Sequence, residues 1–400
     1  MFESVPLPQG YQTAGVSCGI KGQGTGKLDL ALFVSDTPAS SAAVFTKNLV
    51  CGAPVKVSRE RVPRGSTRAI VINSGNANTC TGERGLQDAR RMTQLVADEI
   101  GCGGDDVLIC STGVIGRFLP MDVICKGIPT AYQQLGDSYE SFVNAARAMM
   151  TTDTVHKQST REFRFDGKSV RVSGAAKGAA MIAPNMGTML GVVLTDANLT
   201  PQQADRILKA SVQKSFNCIS VEGHTSTSDT VILLANGAAN AGPLSEPHLA
   251  ELTAGITDVC AELARAIIRD AEGAGHVITL DVAGLRTEAE ADRIARSIGN
   301  DVLVKTAIAG NDPNWGRIVS AAGRTGVDFR ESDVVLTVNG VVLFRDGAPT
   351  DFDEKAVSAS LGSSRETTIR MEFPFGDGAV RFWTCDLTSE YVRLNSEYTT

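Results

Sequence analysis

Two dipeptide turn signals, one in each half of the chain, most constrain what this sequence can fold into. Asp166-Gly167 separates two segments in which apolar and polar residues alternate, and Asn339-Gly340 interrupts the apolar stretch 334–344. Both patterns predict β-hairpins closed by two-residue turns. Stretches that predict helices lie between the strands, the longest being 85–100, 139–150 and 247–269. Helices that alternate with strands, together with hairpins in both halves, predict an α/β fold with mixed β-sheets.

Local signals also predict two helix ends, one turn and a frayed terminus. Thr200 and Gln203 form a capping box that predicts the start of a helix, and Gly299 is the predicted C-cap of a later helix. Residues 311–317 predict a compact polar turn, and the short polar segment 395–400 predicts a frayed end.

The bulk composition is typical of a globular protein and excludes several classes of function. The chain has 400 residues, of which 42% are hydrophobic and 21% charged, enough for the cores of two or three domains. Its net charge of −7 gives no basis for binding nucleic acid or an anionic membrane. No apolar run reaches the roughly 18 residues of a spanning helix, and the N-terminus lacks the regions of a signal peptide. The cytoplasm is therefore the predicted location.

The cysteines and histidines predict neither a disulfide framework nor a metal site. The nine cysteines are odd in number, scattered, and without a C-x-x-C pair, which fits buried reduced thiols. The four histidines form no H-E-x-x-H motif. We therefore expect no metal and no cofactor.

A glycine-rich stretch, 19–27, invites comparison with a phosphate-binding loop but fails its spacing. Lys21 occupies the position of the first Walker glycine, and Leu28 follows Lys27 where Ser or Thr is required. The G-x-G-x-x-G spacing also fails, and no predicted strand precedes it. We therefore predict a surface loop or hairpin here.

The stretch 177–190 is nearly uncharged and contains one hydroxyl, that of Thr188, between Gly187 and an apolar run. No base is near it in sequence. If the bond between Gly187 and Thr188 were cut, the freed α-amine of Thr188 could activate its own hydroxyl, a recognised arrangement for a weak nucleophile. The simpler interpretation of these residues alone is a loop that leads into a buried strand.

Several polar loops, taken together with this stretch, resemble the signature blocks of the ornithine acetyltransferase family. Members of this family are self-processing enzymes that make N-acetylglutamate from N-acetylornithine in arginine biosynthesis. The resemblance extends from about residue 9 to 400. Its blocks are 73–78, 111–116, 150–154, 177–190, 272–274, 312–317 and 395–400.

The resemblance implies both a fold and a processing event. The expected fold is an αββα-type sandwich of mixed β-sheets layered with helices, with a smaller C-terminal α/β lobe from about residue 285. Self-cleavage between Gly187 and Thr188 would give an α chain, 1–187, and a β chain, 188–400. Two copies of each would form a heterotetramer.

The implied reaction is acetyl transfer from N2-acetyl-L-ornithine to L-glutamate by a ping-pong mechanism through acetyl-Thr188. Use of acetyl-CoA as a second donor is left open. Three alternatives also stay open: a related acyltransferase of a secondary pathway, similar to that of clavulanate clusters; an autoprocessed aminopeptidase or amidase of the DmpA type; and an uncleaved binding protein.

Site residues follow from matching positions. Thr112 and Gly113 match the family's oxyanion hole, one donating a hydroxyl and the other a backbone N–H. Lys177 or donors of the C-terminal region are candidates for binding the substrate α-carboxylate, and Glu272 is a candidate for binding the side-chain cation of ornithine. The blocks 73–78 and 312–317 are interpreted as loops that support the site. The matching substrate-binding positions are Thr151, Lys177, Thr188, Glu272, Asn395 and Thr400.

The sequence departs from the family pattern at a few positions that bear on specificity. Ala180 replaces a common Gly, and Gly187 a common Ala, but either small residue leaves the scissile carbonyl accessible. His276 stands near an expected Lys. Glu222 and His224 replace an expected pair of aspartates. We expect these changes to affect the choice of acceptor more than the type of reaction.

Overall fold

The computed structural model of the chain describes residues 4–182 and 189–397, in which two mixed β-sheets are layered with helices. The strands are β1 Tyr11–Val16, β2 Leu30–Phe45, β3 Arg64–Asn76, β4 Val107–Val114, β5 Lys157–Phe165, β6 Lys168–Lys177, β7 Leu190–Thr195, β8 Ile219–Ser220, β9 Thr230–Ala235, β10 Val277–Leu285, β11 Val335–Val338, β12 Val341–Arg345, β13 Ala348–Pro349, β14 Glu366–Glu372 and β15 Gly378–Cys385. The helices are α1 Ala53–Arg59, α2 Gly82–Ile100, α3 Met121–Gln133, α4 Tyr139–Met149, α5 Pro201–Gln213, α6 Glu246–Arg269, α7 Glu288–Gly299, α8 Val302–Ala309, α9 Trp315–Gly323, α10 Glu354–Gly362 and α11 Ser389–Glu397.

The first sheet folds over itself so that its two halves pack face to face. Its strand order is β4-β3-β2-β9-β7-β6-β5, with β1 also paired to β2. The first half of β2 pairs with β1 and β3, whereas its second half pairs with β9. Phe33 and Ile72 from one half share a buried core with Val192 and Ile232 from the other. Phe142 of α4 completes this core.

Helices cover the two outer faces of this folded sheet. Because successive strand residues point to opposite faces, Leu30 and Leu32 turn away from Phe33 and pack with α1, α2 and α3. On the other side, Val193 and Leu233 pack with α5 and α6. The layers are therefore helix, sheet, sheet and helix, which confirms the predicted sandwich.

The C-terminal lobe contains the second sheet, with strand order β13-β12-β11-β14-β10-β15-β8. The resemblance implies a lobe that begins near residue 285, but strands of the second sheet begin earlier in the sequence. Its strand β10 begins at Val277 because 277–283 pair in parallel with β14, and β8 is supplied by residues 219 and 220, before α6. Both sheets contribute to one continuous core.

Both turn signals close hairpins as predicted. Asp166 and Gly167 have φ of +48° and +79°, and Asn339 and Gly340 have φ of +46° and +84°. Positive φ at both central residues is the conformation that favours Asn-Gly and Asp-Gly in hairpin turns. The turns therefore fix the strand pairs β5–β6 and β11–β12.

Other local predictions were wrong where packing outweighed turn chemistry. Gly299, which the pattern predicts as the C-cap of α7, is the last helical residue, and Asn300 follows it. A Cβ at this glycine would lie 2.8 Å from Phe382 Cε1, so its role is close packing against β15. The polar turn predicted at 311–317 includes the start of α9 at Trp315. Residues 395–397, the described part of the end predicted to be frayed, belong to α11. No helix in the described part of the chain is both long and apolar enough to span a membrane.

Candidate active site

A cleft of about 1480 Å³ brings together six of the predicted site residues, although they come from distant parts of the chain. They are Thr112, Gly113, Thr151, Lys177, Glu272 and Asn395. Gly187, Thr188 and Thr400 lie outside the described residues. The roles assigned to these three residues stay predictions.

The end of β4 forms a turn in which glycine is required. Thr112 and Gly113 lie opposite Ser74 and Gly75 in the parallel pairing of β3 with β4. Gly113 has φ of +128°, and a Cβ at this position would lie 2.4 Å from the carbonyl carbon of Gly75. A side chain at residue 113 would separate the two strands. This close approach fixes the turn that presents Thr112 to the cleft.

The buried ammonium of Lys177 organises the hydroxyl groups at the floor of the cleft. Its Nζ donates to Thr112 Oγ1 at 3.2 Å and to Thr151 Oγ1 at 2.7 Å. An ammonium only donates, so the Thr112 hydroxyl accepts from Lys177 and keeps its own hydrogen for another acceptor. Burial lowers the pKa of Lys177, and the nearby Asp153 carboxylate opposes this shift.

A buried carboxylate, Asp153, joins the elements that carry these groups. Its Oδ1 accepts from Lys157 Nζ at 2.8 Å and from Gly178 N at 2.6 Å, and its Oδ2 accepts from Thr151 N at 3.0 Å. Burial alone would raise the pKa of Asp153, but Lys157 and Lys177 together bring it below its usual range. Lys157 is itself fully buried and also donates to Asp270 Oδ2 at 2.6 Å. We call Asp153, Lys157 and Asp270 the buried network.

Glu272 also lines the cleft, held by contacts of its own main chain and side chain. Its amide donates to Ala179 O at 2.9 Å, just beyond the end of β6. Its Oε2 accepts from Asn395 Nδ2 of α11 at 2.9 Å. Gly273 has φ of +66°, and a Cβ there would lie 2.4 Å from Tyr391 N. These contacts hold α11 beside Glu272, so the C-terminal helix forms part of the cleft.

Two further carboxyl groups adjoin the site, Asp229 and Glu222, and only Asp229 was not identified from the sequence. Asp229 is fully buried and accepts from Met189 N, the amide directly after Thr188, at 3.0 Å. Burial raises the pKa of Asp229, and the Met189 amide opposes the shift. Glu222 lines the cleft and accepts from Ile182 N at 2.5 Å, and burial raises its pKa to about 7. The only sequence signal for Asp229 was its position in a polar loop before β9, whereas Glu222 was named there as a departure from the family pattern.

The chain's similarity to known proteins covers nearly its whole length. A family model described as the ArgJ family matches residues 12–400. The chain belongs to the ArgJ family. The arginine biosynthesis bifunctional protein ArgJ of Nitratidesulfovibrio vulgaris is 45% identical over 393 residues, which cover 98% of each chain. The protein of the same name from Rhodopirellula baltica is 42% identical over 397 residues, 98% of this chain and 96% of the relative.

A solved ArgJ structure matches about half of this chain. The crystal structure of the arginine biosynthesis bifunctional protein argJ from Bacillus halodurans is 36% identical, with a TM-score of 0.50. The match covers 52% of this chain and 98% of that one. The solved chain thus corresponds to one part of the ArgJ chain described here.

The positions where this ArgJ chain departs from the family pattern do not all lie at the site. Ala180, Glu222 and His224 line the cleft. His276 does not, because it is buried between Asp386 Oδ2, 2.8 Å from its Nδ1, and the Leu361 carbonyl, 3.2 Å from its Nε2. Because His276 lies in the core of the lobe, it can affect the choice of acceptor only indirectly.

The two loops interpreted as supports differ in their distance from the cleft. Gly75 and Ala77 of the block 73–78 line it, and Asn76 and Asn78 stabilise the loop by a hydrogen bond between Asn76 Oδ1 and Asn78 N of 2.8 Å. The block 312–317 contributes no lining residue and instead starts α9. Within 4–182 and 189–397, no cluster of three or more His, Cys, Asp or Glu side chains is arranged to hold a metal ion.

Proposed function

We propose that this ArgJ family chain is a glutamate N-acetyltransferase that moves the acetyl group of N2-acetyl-L-ornithine to L-glutamate in arginine biosynthesis. The observation that carries the proposal is the arrangement in one cleft of the Thr112–Gly113 turn, the Lys177 ammonium and the Glu272 carboxylate. Ornithine carries an α-carboxylate and a side-chain ammonium, and a cation such as Lys177 and an anion such as Glu272 can bind these two groups. The names of the relatives place those proteins in arginine biosynthesis.

The first step in the proposal is self-cleavage before Thr188. Thr188 Oγ attacks the Gly187 carbonyl, the acyl group moves from nitrogen to oxygen, and water opens the ester. The products are a Gly187 carboxylate and a free Thr188 amine. An α-amine has an unperturbed pKa of about 7.7–8.0, so near neutral pH it can accept a proton as a general base. The solved relative, which spans about half of this chain, supports a division of this kind.

Two acyl transfers then follow at the same hydroxyl. Thr188 Oγ attacks the acetyl carbonyl of acetylornithine and passes its proton through the α-amine to the departing ornithine nitrogen. The amine of glutamate next attacks the acetyl ester, and the Thr188 hydroxyl is regenerated. Each attack places negative charge on the acetyl oxygen. In the proposal, this oxygen accepts from the Thr112 hydroxyl and the Gly113 amide.

The remaining assignments concern binding. Lys177 and Thr151 hold the α-carboxylate that both amino acids carry, and Glu272 with Asn395 holds the side-chain ammonium of ornithine. Thr400 is assigned to substrate binding by its matching position alone. We extend the proposal to acetyl-CoA as a second donor, since the relatives are named bifunctional. We also include a heterotetramer of two α and two β chains in it.

Incubation of the purified protein with acetylornithine, with and without glutamate, tests the proposal. We expect ornithine release to be sustained only with glutamate, and acetylglutamate to form in equal amount. Sustained release without glutamate would assign the chain to the hydrolases and contradict the transferase. If no ornithine were released with or without glutamate, both the transferase and the hydrolase would be contradicted.

Self-cleavage has a separate test. Denaturing electrophoresis should give two bands in place of one at 42.1 kDa, and the larger fragment should begin Thr-Met-Leu. Thr188→Ala should remain a single chain, whereas Thr188→Ser, which keeps a hydroxyl, should still be cut. Cleavage of the alanine variant at this bond would rule out the mechanism.

A further inference from the structure

The glycine-rich loop 17–29, whose spacing excludes a phosphate site, forms one side of the cleft. Ile20, Lys21 and Lys27 are among the residues that line it. Asp29, which is fully buried, accepts from three amides of the loop: Cys18 N at 2.7 Å, Gly19 N at 3.0 Å and Lys21 N at 3.1 Å. The loop is therefore held in place against the site by its own buried carboxylate.

Lys21 lies directly over the turn that carries the predicted oxyanion donors. A Cβ placed on Gly75 would be 2.9 Å from Lys21 Cγ, and Gly75 in turn packs against Gly113. Lys21 Nζ donates to Leu28 O at 2.6 Å, which leaves two of its three N–H donors for other acceptors. Burial lowers the pKa of Lys21 to about 8, an effect that Asp29 opposes. The amine therefore remains mainly a cation at neutral pH.

Lys21 is one of four cations, all from the chain before residue 182, that line the cleft and that we call the basic wall: Lys21, Lys27, Arg117 and Arg147. The side chains of Lys27, Arg117 and Arg147 make no hydrogen bond or ion pair within residues 4–182 and 189–397. The two carboxylates that act electrostatically on Lys21 are already engaged, Asp29 by the loop amides and Asp153 by the buried network. Lys27, Arg117 and Arg147 thus line the cleft without an ion pair to any described carboxylate.

The cleft is also lined by two carboxyl groups that come from the chain after residue 189. They are Glu222 and Glu272, and we call them the acidic wall. Acetylornithine and glutamate share an α-amino acid portion, but their side chains end in an ammonium and a carboxylate. A site that used only Glu272 for the side chain would attract the donor and repel the acceptor.

We propose that the basic wall, with Lys21 at its centre, binds the side-chain carboxylate of the acceptor glutamate. The donor and acceptor side chains then extend towards opposite walls, while their α-carboxylates share Lys177. This inference rests on the proposed function and adds to it the residues that select the acceptor.

Lys21→Met tests the assignment, because in a ping-pong reaction kcat/KM for each substrate reports its own half-reaction. A charge-assisted hydrogen bond contributes about 1.5–3 kcal/mol, so we expect kcat/KM for glutamate to fall by about 10- to 100-fold. The value for acetylornithine should change less than about threefold, within the weak range of exposed charge interactions. Lys21→Arg should retain most of the glutamate activity, and Lys126→Met, which removes an exposed lysine of α3, should alter neither.

Calorimetric titration of the cleaved protein separates failure of this inference from failure of the proposed function. If the wild type binds neither ornithine nor glutamate, the proposed function and the inference both fall. If it binds both, Lys21→Met should weaken glutamate selectively. An equal loss for both ligands, no loss for either, or a loss confined to turnover of acetyl-CoA would overturn the assignment to glutamate.

Discussion

The two walls of the cleft differ in charge, in origin and in the way they are held. The basic wall comes from residues before 182 and has three cations without a carboxylate partner among the described residues. The acidic wall comes from residues after 189, and its Glu272 is held by Asn395 of the C-terminal helix. Cleavage at the predicted bond would thus leave one wall on each chain. In the proposed reaction, this difference would allow one site to accept two side chains of opposite charge.

We call Lys177, Thr112 and Thr151 the floor of the cleft. Lys177 donates to both threonine hydroxyls, and Asp153 of the buried network accepts from the Thr151 amide. Changes to the floor should therefore affect both substrates, whereas changes to a wall should affect one.

Removal of the charge of Asp153 should damage the floor most. Asp153→Asn leaves Lys157 buried with one carboxylate fewer, and the loss of one member of a buried ion pair costs about 3–5 kcal/mol. Urea denaturation should reveal this loss of unfolding free energy. Asp205→Asn removes a partner from the exposed pair with Lys209, and should cost less than about 1 kcal/mol. Equal effects of the two variants would contradict the role of the buried network.

The Thr112 hydroxyl should serve both half-reactions equally. Thr112→Val removes one predicted oxyanion donor, and we expect kcat to fall by about 10²- to 10³-fold in each half-reaction. Stopped-flow or quench measurements of ornithine release and of acetylglutamate formation would give the two rates. Thr112→Ser keeps the hydroxyl and should retain most of the activity. A loss of rate in only one half-reaction would contradict the assignment of Thr112 to both acetyl transfers.

Glu272→Gln should give the mirror image of the Lys21 variant. It removes the anion that pairs with the donor side chain, so kcat/KM for acetylornithine should fall by about 10- to 100-fold. The value for glutamate should be unchanged or higher. Glu251→Gln, an exposed position on α6, is the matched control. A parallel loss for both substrates would contradict the separation of the two walls.

The smallest expected effect concerns pH at the acidic wall. Because burial raises the pKa of Glu222 to about 7, this carboxyl is neutral below that pH and becomes an anion above it. The attraction of a cationic donor should therefore increase as the pH rises through about 7. In Glu222→Gln, kcat/KM for acetylornithine should lose this component, while the profile for glutamate should keep its shape. Identical pH profiles for wild type and variant would contradict this assignment.

The sequence predicts well those features that depend on neighbouring residues. Asp166-Gly167 and the capping box of Thr200 with Gln203 are local, and both were predicted correctly. Gly299 was interpreted wrongly because its reason lies in Phe382, a side chain on a distant strand.

The same distinction applies to the site. Motif matches identified Thr112, Lys177 and Glu272, and the fold brings all three to one cleft. Asp229 was missed because only the fold brings it to Met189, which lies far from it in sequence. The loop that contains Lys21 was predicted to be a surface loop because its glycine spacing does not match a phosphate-binding motif. Its contact with Gly75 could not be predicted, since only the fold brings Lys21 close to β3.

Trapping of the acetyl group is the most direct test of the account. Cleaved protein incubated with acetylornithine alone should release one equivalent of ornithine per site, and mass spectrometry should find one acetyl group on the peptide that begins at Thr188. Hydroxylamine should remove it, as expected for an ester, and addition of glutamate should convert it into acetylglutamate. Acetylglutamate formed at full rate with no acetylated Thr188 peptide at any time would contradict the account.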